Sequence, residues 1–182
     1  MRIVAGRLRG RRLVAPDGNL ARPTADRARQ ALFNILDHSS LVDLDGARVV
    51  DCFAGTGALG LEALSHGADH ASFIERGPAA LAALEANIVA LGEIANTTVF
   101  RTDATRPPPA AQACRLALLD PPYHSGLAGP CLIALAEGGW LEAGALAVVE
   151  VARDEALTAP EGFALADERA YGAARLVFLV WN

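Results

Sequence analysis

The chain contains no lysine, so all 16 of its basic residues are arginines. This absence excludes chemistry that needs a primary amine, such as Schiff-base catalysis or phosphate binding by a P-loop lysine. Cysteine is also scarce: the three cysteines lie far apart and form no C-x-x-C pair, so we expect neither a metal site nor a disulfide framework. No apolar run approaches the ~18–20 residues of a bilayer span, and charge returns too early for a signal peptide. We therefore expect a cytoplasmic protein with no membrane partner.

The arginines are concentrated at the start of the sequence. Residues 1–36 hold eight arginines and two aspartates, a charge of +6, whereas the remainder carries −11 of the overall −5. A basic segment on an acidic body is typical of a protein that meets a polyanion with one face, although it also fits a solvated charged arm. The candidates for nucleic-acid contacts are Arg7, Arg9, Arg11, Arg12 and Arg22.

The hydrophobic pattern predicts an α/β fold in 182 residues. We expect a small basic β-hairpin in residues 1–20 and an α/β domain in residues 21–182, which begins with a helix capped by Thr24. Strands are predicted at 47–52, 71–75, 97–101, 116–119 and 145–151, and helices at 58–65, 78–91 and 127–136. An antiparallel hairpin is expected from 163–168 and 176–181. This order implies a doubly wound, mostly parallel sheet with helices on both faces and ligands at the carboxyl ends of the strands.

A glycine-rich loop follows the first predicted strand, in the segment Asp51-Cys-Phe-Ala-Gly-Thr-Gly-Ala-Leu-Gly60. Its G-x-G-x-x-G pattern alone is a weak signal, because glycine turns often begin helices. Asp51 would repel a pyrophosphate but could hydrogen-bond an ammonium or hydroxyl group. Glu75 and Asp103 end the next two strands, where carboxylates could accept the hydroxyls of a ribose and the amino group of an adenine. These acids predict a pocket for an adenosine that carries a positive group and no phosphate.

The tetrapeptide Asp120-Pro121-Pro122-Tyr123 follows the fourth predicted strand. The prolines stiffen the chain and leave a carbonyl free to accept hydrogen bonds. Asp120 and that carbonyl could hold the hydrogens of an exocyclic amine, so that its lone pair points at an electrophile. Tyr123 could stack on the base, a contact worth ~1–3 kcal/mol. A purely structural alternative is that the prolines end a buried strand and the tyrosine packs.

The two motifs Asp51-x-Phe-Ala-Gly-Thr-Gly and Asp120-Pro-Pro-Tyr resemble those of Rossmann-type amino-group methyltransferases that use S-adenosylmethionine. Three further blocks widen the likeness: Arg2-Ile-Val-Ala-Gly, Arg9-Gly-Arg-Arg-Leu, and the run from Arg22-Pro-Thr to Asn34-Ile-Leu. With these, the chain resembles the family of bacterial 16S ribosomal RNA guanine-N2 methyltransferases that act on guanine 966.

The resemblance implies a monomeric enzyme that methylates the small-subunit RNA, in an assembled or assembling particle. It implies that the cofactor lies against Asp51, Ala54, Gly55, Thr56, Gly57 and Asp120, its ribose against Glu75, its adenine against Asp103 and Ala104, and its methionine end under Thr24, Phe33 and Asn34. Asp120, Pro121, Pro122 and Tyr123 would hold the target amine. The sequence departs from relatives at Arg76, where they often place a second acid, so that the ribose contact would depend on Glu75 alone.

Alternatives remain open at this point. A nicotinamide-dependent oxidoreductase would use the glycine loop and Glu75, but would give Asp51 and the Asp120 tetrapeptide no role. A non-catalytic RNA-binding module would explain the arginines alone. A methyltransferase for adenine N6 or for a glutamine amide would use the same tetrapeptide, since it suits several planar amines.

Overall fold

The computed structural model describes residues 1–16 and 23–182, with side chains from residue 27 onwards in the first helix. The predicted turn after Pro16, Arg22 and the side chain of Thr24 lie outside the described part. Within it the helices are α1 Pro23–Asp37, α2 Ala58–Ser65, α3 Pro78–Leu91 and α4 Ala128–Glu137, with a 3-10 turn at Ile94–Asn96. The strands are β1 Arg48–Cys52, β2 His70–Glu75, β3 Thr97–Arg101, β4 Cys114–Leu119, β5 Leu141–Ala152, β6 Phe163–Tyr171 and β7 Ala174–Trp181.

The seven strands form one sheet in the order β3-β2-β1-β4-β5-β7-β6. The first five strands in this order pair in parallel, and β7 pairs antiparallel with both β5 and β6. The predicted doubly wound sheet with an antiparallel C-terminal hairpin is therefore confirmed. The strand order reverses between β1 and β4, so their carboxyl ends flank the crevice where open sheets of this kind bind ligands.

The core lies on both faces of this sheet because successive strand residues point to opposite sides. Val49 of β1 and Leu118 of β4 belong to the cluster that includes the buried residues of α1, α2 and α3. Val50 and Leu119, one residue further along the same strands, belong to the cluster that includes α4. The three cysteines are buried and form no disulfide. No helix in the described ranges is long and apolar enough to cross a membrane.

The N-terminal hairpin contains one antiparallel bridge, between Arg2 and Arg12, and backbone hydrogen bonds from Ile3 to Arg11, from Gly10 to Ile3 and from Leu13 to Met1 join the same two segments. The next backbone donors leave this pairing, because the N–H groups of Val4 and Ala5 donate to the buried carboxylate of Glu62. We call residues 1–16 the N-terminal loop. Its apolar side chains, Ile3, Leu8 and Leu13, are buried in the same cluster as α1 to α3.

Strand β5 begins four residues before its predicted start at residue 145. Its pairing with β4 shifts in register between Cys114 and Leu116, and Gly144 in this stretch has a φ of 80°. A glycine with positive φ is typical of a β-bulge, which interrupts the hydrophobic pattern without ending the strand. Glu150 lies near the carboxyl end of β5, at the ligand-binding edge of the sheet.

Candidate active site

The glycine loop turns sharply between β1 and α2. Phe53 has a φ of 59°, a conformation that costs energy for a bulky residue and that is concentrated at functional loops. Gly57 has a φ of 78°, and a Cβ there would lie 2.3 Å from Leu84, so only glycine lets α2 begin this close to α3. The loop thereby places its backbone along the carboxyl end of β1.

Asp51 lies beneath this loop and is almost completely buried. Its Oδ2 accepts a hydrogen bond of 2.8 Å from the Gly60 N–H, whereas its Oδ1 has no partner among the described residues. Burial raises the pKa of Asp51 well above its usual value, the Gly60 hydrogen bond opposes this, and the nearby carboxylates of Asp120 and Glu75 raise the pKa further. A cationic ligand at Oδ1 would relieve this unfavourable charge.

Glu75, at the end of β2, connects the glycine loop to the next turn. Its Oε2 accepts from the Gly55 N–H at 2.9 Å, and its Oε1 accepts from the N–H groups of Arg76 and Gly77 at 2.8 and 2.6 Å. Both oxygens are thus fixed at the carboxyl edge of the sheet, where the ribose contact is predicted.

Asp103 follows β3 and is partly exposed. Its Oδ1 accepts from the backbone and hydroxyl of Thr105, and its Oδ2 forms a 2.6 Å ion pair with Arg76. The hydrogen bonds from Thr105 lower the pKa of Asp103, and the charges of Arg76 and Arg106 lower it further. The arginine that replaces the expected second acid therefore contacts the carboxylate assigned to the adenine.

Asp120 follows β4, directly across the crevice from the glycine loop. It reaches solvent through the open crevice, yet protein surrounds most of its carboxylate. This loss of hydration, with the charge of Glu150, raises the pKa of Asp120 to about 7. Tyr123 is 43% exposed, and its hydroxyl donates a 2.6 Å hydrogen bond to Glu150. Pro121 is buried and Pro122 is exposed.

Two cavities meet at Phe53 and Asp120, which line both. The first, of about 270 Å³, contains Asp51, Ala54, Gly55 and Thr56 in its wall. The second, of about 190 Å³, contains Glu75, Asp103, Ala104 and Pro122. The structure therefore brings the predicted strand-end acids to one continuous crevice with Asp120 and Pro122 of the tetrapeptide.

Helix α1 contributes residues to the first cavity that differ from those predicted. Phe33 is fully buried and stacks on His66 with ring centroids 4.9 Å apart, and Asn34 points to solvent. Neither side chain lines the first cavity, where the methionine end is expected. Ala28, Arg29 and Leu32, on the face of α1 that is turned to the sheet, line the cavity instead.

Glu150 is a site residue that sequence reasoning missed. It lines the first cavity, accepts the Tyr123 hydroxyl, and pairs across the sheet with Leu176. The available signal was its position on the strand next to β4, since neighbouring parallel strands bring their carboxyl ends together.

Two of the five arginines assigned to RNA are engaged within the protein. Arg7 forms two hydrogen bonds with the buried carboxylate of Glu93, and a guanidinium N–H of Arg11 donates to the Ala90 carbonyl. Arg9 and Arg12 are exposed. The predicted RNA contacts of Arg7 and Arg11 therefore compete with contacts that attach the N-terminal loop to α3 and the turn after it.

Comparison with known proteins gives the family of the chain. Residues 1–180 match the family model described as conserved hypothetical protein 95. Ribosomal RNA small subunit methyltransferase D of Escherichia coli K12 is 37% identical over 177 residues, which cover 94% of this chain and 85% of that protein. The enzyme of the same name from Haemophilus influenzae is 34% identical over 178 residues, 94% of this chain and 89% of that protein. A solved structure of a putative methyltransferase from Escherichia coli superposes with a TM-score of 0.84 at 34% identity, covering 100% of this chain and 98% of the other. The chain therefore belongs to the family described as conserved hypothetical protein 95, together with the ribosomal RNA small subunit methyltransferases D.

Proposed function

We propose that this protein transfers a methyl group from S-adenosylmethionine to the exocyclic N2 amine of a guanine in 16S ribosomal RNA, of the guanine 966 type. The observation that carries the proposal is the position of Asp120, at the junction of a cavity lined by Asp51 and a cavity lined by Glu75 and Asp103. A donor that occupies both cavities would present its centre beside Asp120. The names of the relatives support ribosomal RNA as the substrate.

The residues of the two cavities fit S-adenosylmethionine. In the first cavity, the unpartnered Oδ1 of Asp51 suits the ammonium of the methionine end, and the guanidinium of Arg29 suits its carboxylate. In the second, Glu75 suits the ribose hydroxyls, and Asp103 with the backbone of Ala104 suits the adenine. When bound, the cofactor supplies a methyl group on a positively charged sulfur.

The chain's own residues would hold and activate the target amine. The lone pair of an exocyclic amine is delocalised into the ring, which makes it a poor nucleophile. Asp120 and the Pro121 carbonyl would accept its two hydrogens and so direct the lone pair at the methyl group. With a pKa of about 7, Asp120 can also receive the proton that the nitrogen loses when the new N–C bond forms.

Tyr123 would hold the base. Its exposed ring offers a flat face to a guanine that has left its stack, and the hydrogen bond from its hydroxyl to Glu150 fixes the orientation of the ring. Such a base is available in unpaired segments of a folded RNA, so we propose the small subunit or its assembly intermediate as the substrate. We further propose that the enzyme is a monomer and acts in the cytoplasm.

Other functions fit the site less well. In a nicotinamide-dependent oxidoreductase the buried carboxylate of Asp51, directly under the glycine loop, would oppose a pyrophosphate. A non-catalytic RNA-binding module would not need an unpartnered buried oxygen and a carboxyl of raised pKa in one crevice. Adenine N6 and glutamine amides suit the same tetrapeptide, and the names of the relatives favour RNA over protein.

The variant Asp120→Ala tests the proposed role of Asp120 in orienting the target amine and accepting its proton. We expect methyl transfer to small subunits from a strain that lacks this protein to fall by about 10²-fold or more, because both the acceptor of the amine hydrogens and the proton acceptor are lost. Binding of S-adenosylmethionine, measured by calorimetry with NAD as the comparison ligand, should persist. Asp167→Ala on β6 is the matched control. Near-normal transfer by the Asp120 variant, or transfer to a position other than a guanine N2, would contradict the proposal.

A further inference from the structure

A third cavity, separate from the two of the active site, lies between the N-terminal loop and α1. It has a volume of about 470 Å³ and is lined by Arg2, Ile3, Val4, Arg9, Gly10, Arg27 and Gln30. We call it the basic crevice. Each of its charged lining residues is an arginine, and these three arginines are exposed and form no ion pair within residues 1–16 and 23–182.

The backbone that carries these arginines is held by buried contacts. An Nη atom of Arg29 donates a 2.6 Å hydrogen bond to the carbonyl of Arg2, and its Nε forms a 3.1 Å ion pair with Glu62. Glu62 also accepts the N–H groups of Val4 and Ala5, two and three residues after Arg2 in the loop. The crevice therefore keeps its shape without a ligand, which reduces the ordering cost of binding.

The chemistry of the crevice suits phosphate. Guanidinium groups offer paired N–H donors in a planar fork that matches phosphate oxygens, and the amide of Gln30 adds neutral donors. At Gly10, with a φ of 83°, a Cβ would meet no atom within 4 Å, so a ligand can approach the backbone closely there. Three arginines, with no acid among the described residues that line the crevice, favour a polyanion over a single carboxylate.

The basic crevice also adjoins the first cavity of the active site. Met1 lines that cavity while Arg2 lines the crevice, and on α1 Ala28 lines the cavity while Arg27 lines the crevice. An RNA strand that delivers one base to the active site carries its neighbouring phosphates on the same backbone. The crevice thus lies where those phosphates would pass.

We propose that Arg2, Arg9 and Arg27 clamp phosphate groups of the RNA strand next to the target nucleotide. The inference rests on the proposed function and revises the set of RNA contacts, because Arg2 and Arg27 take the place of Arg7 and Arg11, which attach the loop to the protein. Recognition through phosphates positions a strand without reading its sequence.

The test compares a variant carrying Arg2→Gln, Arg9→Gln and Arg27→Gln with the wild-type chain. Affinity for small subunits that lack the modification is measured over a range of salt concentrations. Each lost phosphate contact lowers the salt slope by about one, so we expect the slope to flatten by about 2–3 and the affinity at low salt to fall by about tenfold or more. Methyl transfer should lose efficiency through KM, while the single-turnover rate at saturating substrate stays within about threefold.

Arg115→Gln, at the amino end of β4, removes one positive charge far from the crevice, the same change as each single crevice variant, and should leave the slope unchanged. Calorimetry with S-adenosylmethionine and a thermal melt test whether each variant is folded. If the triple variant is not folded, the three single variants are used in its place. An unchanged slope and affinity in a folded crevice variant would overturn the clamp. If the wild-type chain bound the particles but did not methylate them, the proposed function would be contradicted. The clamp could still be tested in that case, through the salt dependence of binding.

Discussion

Glu150 and Asp120 place two carboxyl groups at one cavity, and this pair makes the reaction sensitive to pH. Asp120 must be ionised to accept the hydrogens of the amine, and loss of hydration with the charge of Glu150 raises its pKa to about 7. Values of kcat/KM for methyl transfer should therefore rise with pH through a midpoint near neutrality and level off above it.

Glu150→Gln tests this coupling at the level of a single charge. The amide keeps an acceptor for the Tyr123 hydroxyl but removes the negative charge that raises the pKa of Asp120. We expect the midpoint of the kcat/KM profile to move to lower pH, since Asp120 then ionises more readily. Glu137→Gln, on the exposed end of α4, is the matched control and should leave the profile in place. A midpoint that does not move in the Glu150 variant would show that the two carboxyl groups do not interact during the reaction.

At the scale of elements, helix α2 connects the N-terminal loop to α1 through Glu62. This carboxylate is fully buried and accepts hydrogen bonds from the loop and from Arg29 of α1. Burial alone would raise the pKa of Glu62, but hydrogen bonds from His66, Val4 and Ala5 and the charge of Arg29 lower it overall. Its contribution to stability is therefore present above the pKa of an unfolded glutamate and is lost as the pH falls through the lower folded value.

Glu62→Ala should destabilise the protein by about 3–5 kcal/mol at pH 7, because it removes the buried carboxylate that pairs with Arg29 and accepts the N–H groups of Val4 and Ala5. Urea denaturation followed by circular dichroism gives the free energy of unfolding. Glu137→Ala removes an exposed glutamate from α4 and should change it by less than about 0.5 kcal/mol. If the Glu62 variant lost less than about 1 kcal/mol, the hydrogen bonds to the loop would contribute little to the fold.

The sequence predicted elements well where local residues determine their ends. The first residue of α3 is Pro78, and the helix ends before Gly92, whose φ of 77° only glycine adopts readily. Helix α2 and strand β3 also have their predicted bounds. The pairing in the N-terminal loop is short because the N–H groups of Val4 and Ala5 donate to Glu62, 57 or more residues away, a contact that no local pattern records.

Site residues, like the elements, could be predicted where local sequence determines their position and not where a distant contact does. Asp51, Glu75, Asp103 and Asp120 could be predicted because each ends a strand and parallel topology brings strand ends together. Periodicity shows that a helix face is buried but not which neighbour covers it, so it could not show that Phe33 stacks on His66, outside the cavity lining. Arg29 was missed because its ion pair with Glu62 joins two helices that are unrelated in sequence.

At the scale of the whole molecule, charge and core give the N-terminal segment two different roles. Residues 1–36 carry a charge of +6 on a chain of net −5, so under the proposed function this segment would attract RNA while the acidic remainder would repel it. The same segment contributes apolar side chains to the main core. Binding surface and structural support are therefore combined in one stretch of chain.

Removal of residues 1–16 separates these two roles. It deletes Ile3, Leu8 and Leu13, whose side chains are 0%, 8% and 6% exposed. At about 1.5–3 kcal/mol for each buried side chain, the loss approaches the ~5–15 kcal/mol that stabilises a typical domain. We expect the shortened chain to show no cooperative thermal transition by circular dichroism and no binding of S-adenosylmethionine by calorimetry. The full-length chain with Arg9→Gln and Arg12→Gln loses two charges of the same segment but no core contact, and it should melt within a few degrees of the wild type. A shortened chain that melts like the wild type would show that residues 1–16 form a detachable extension, which the burial of its three apolar side chains contradicts.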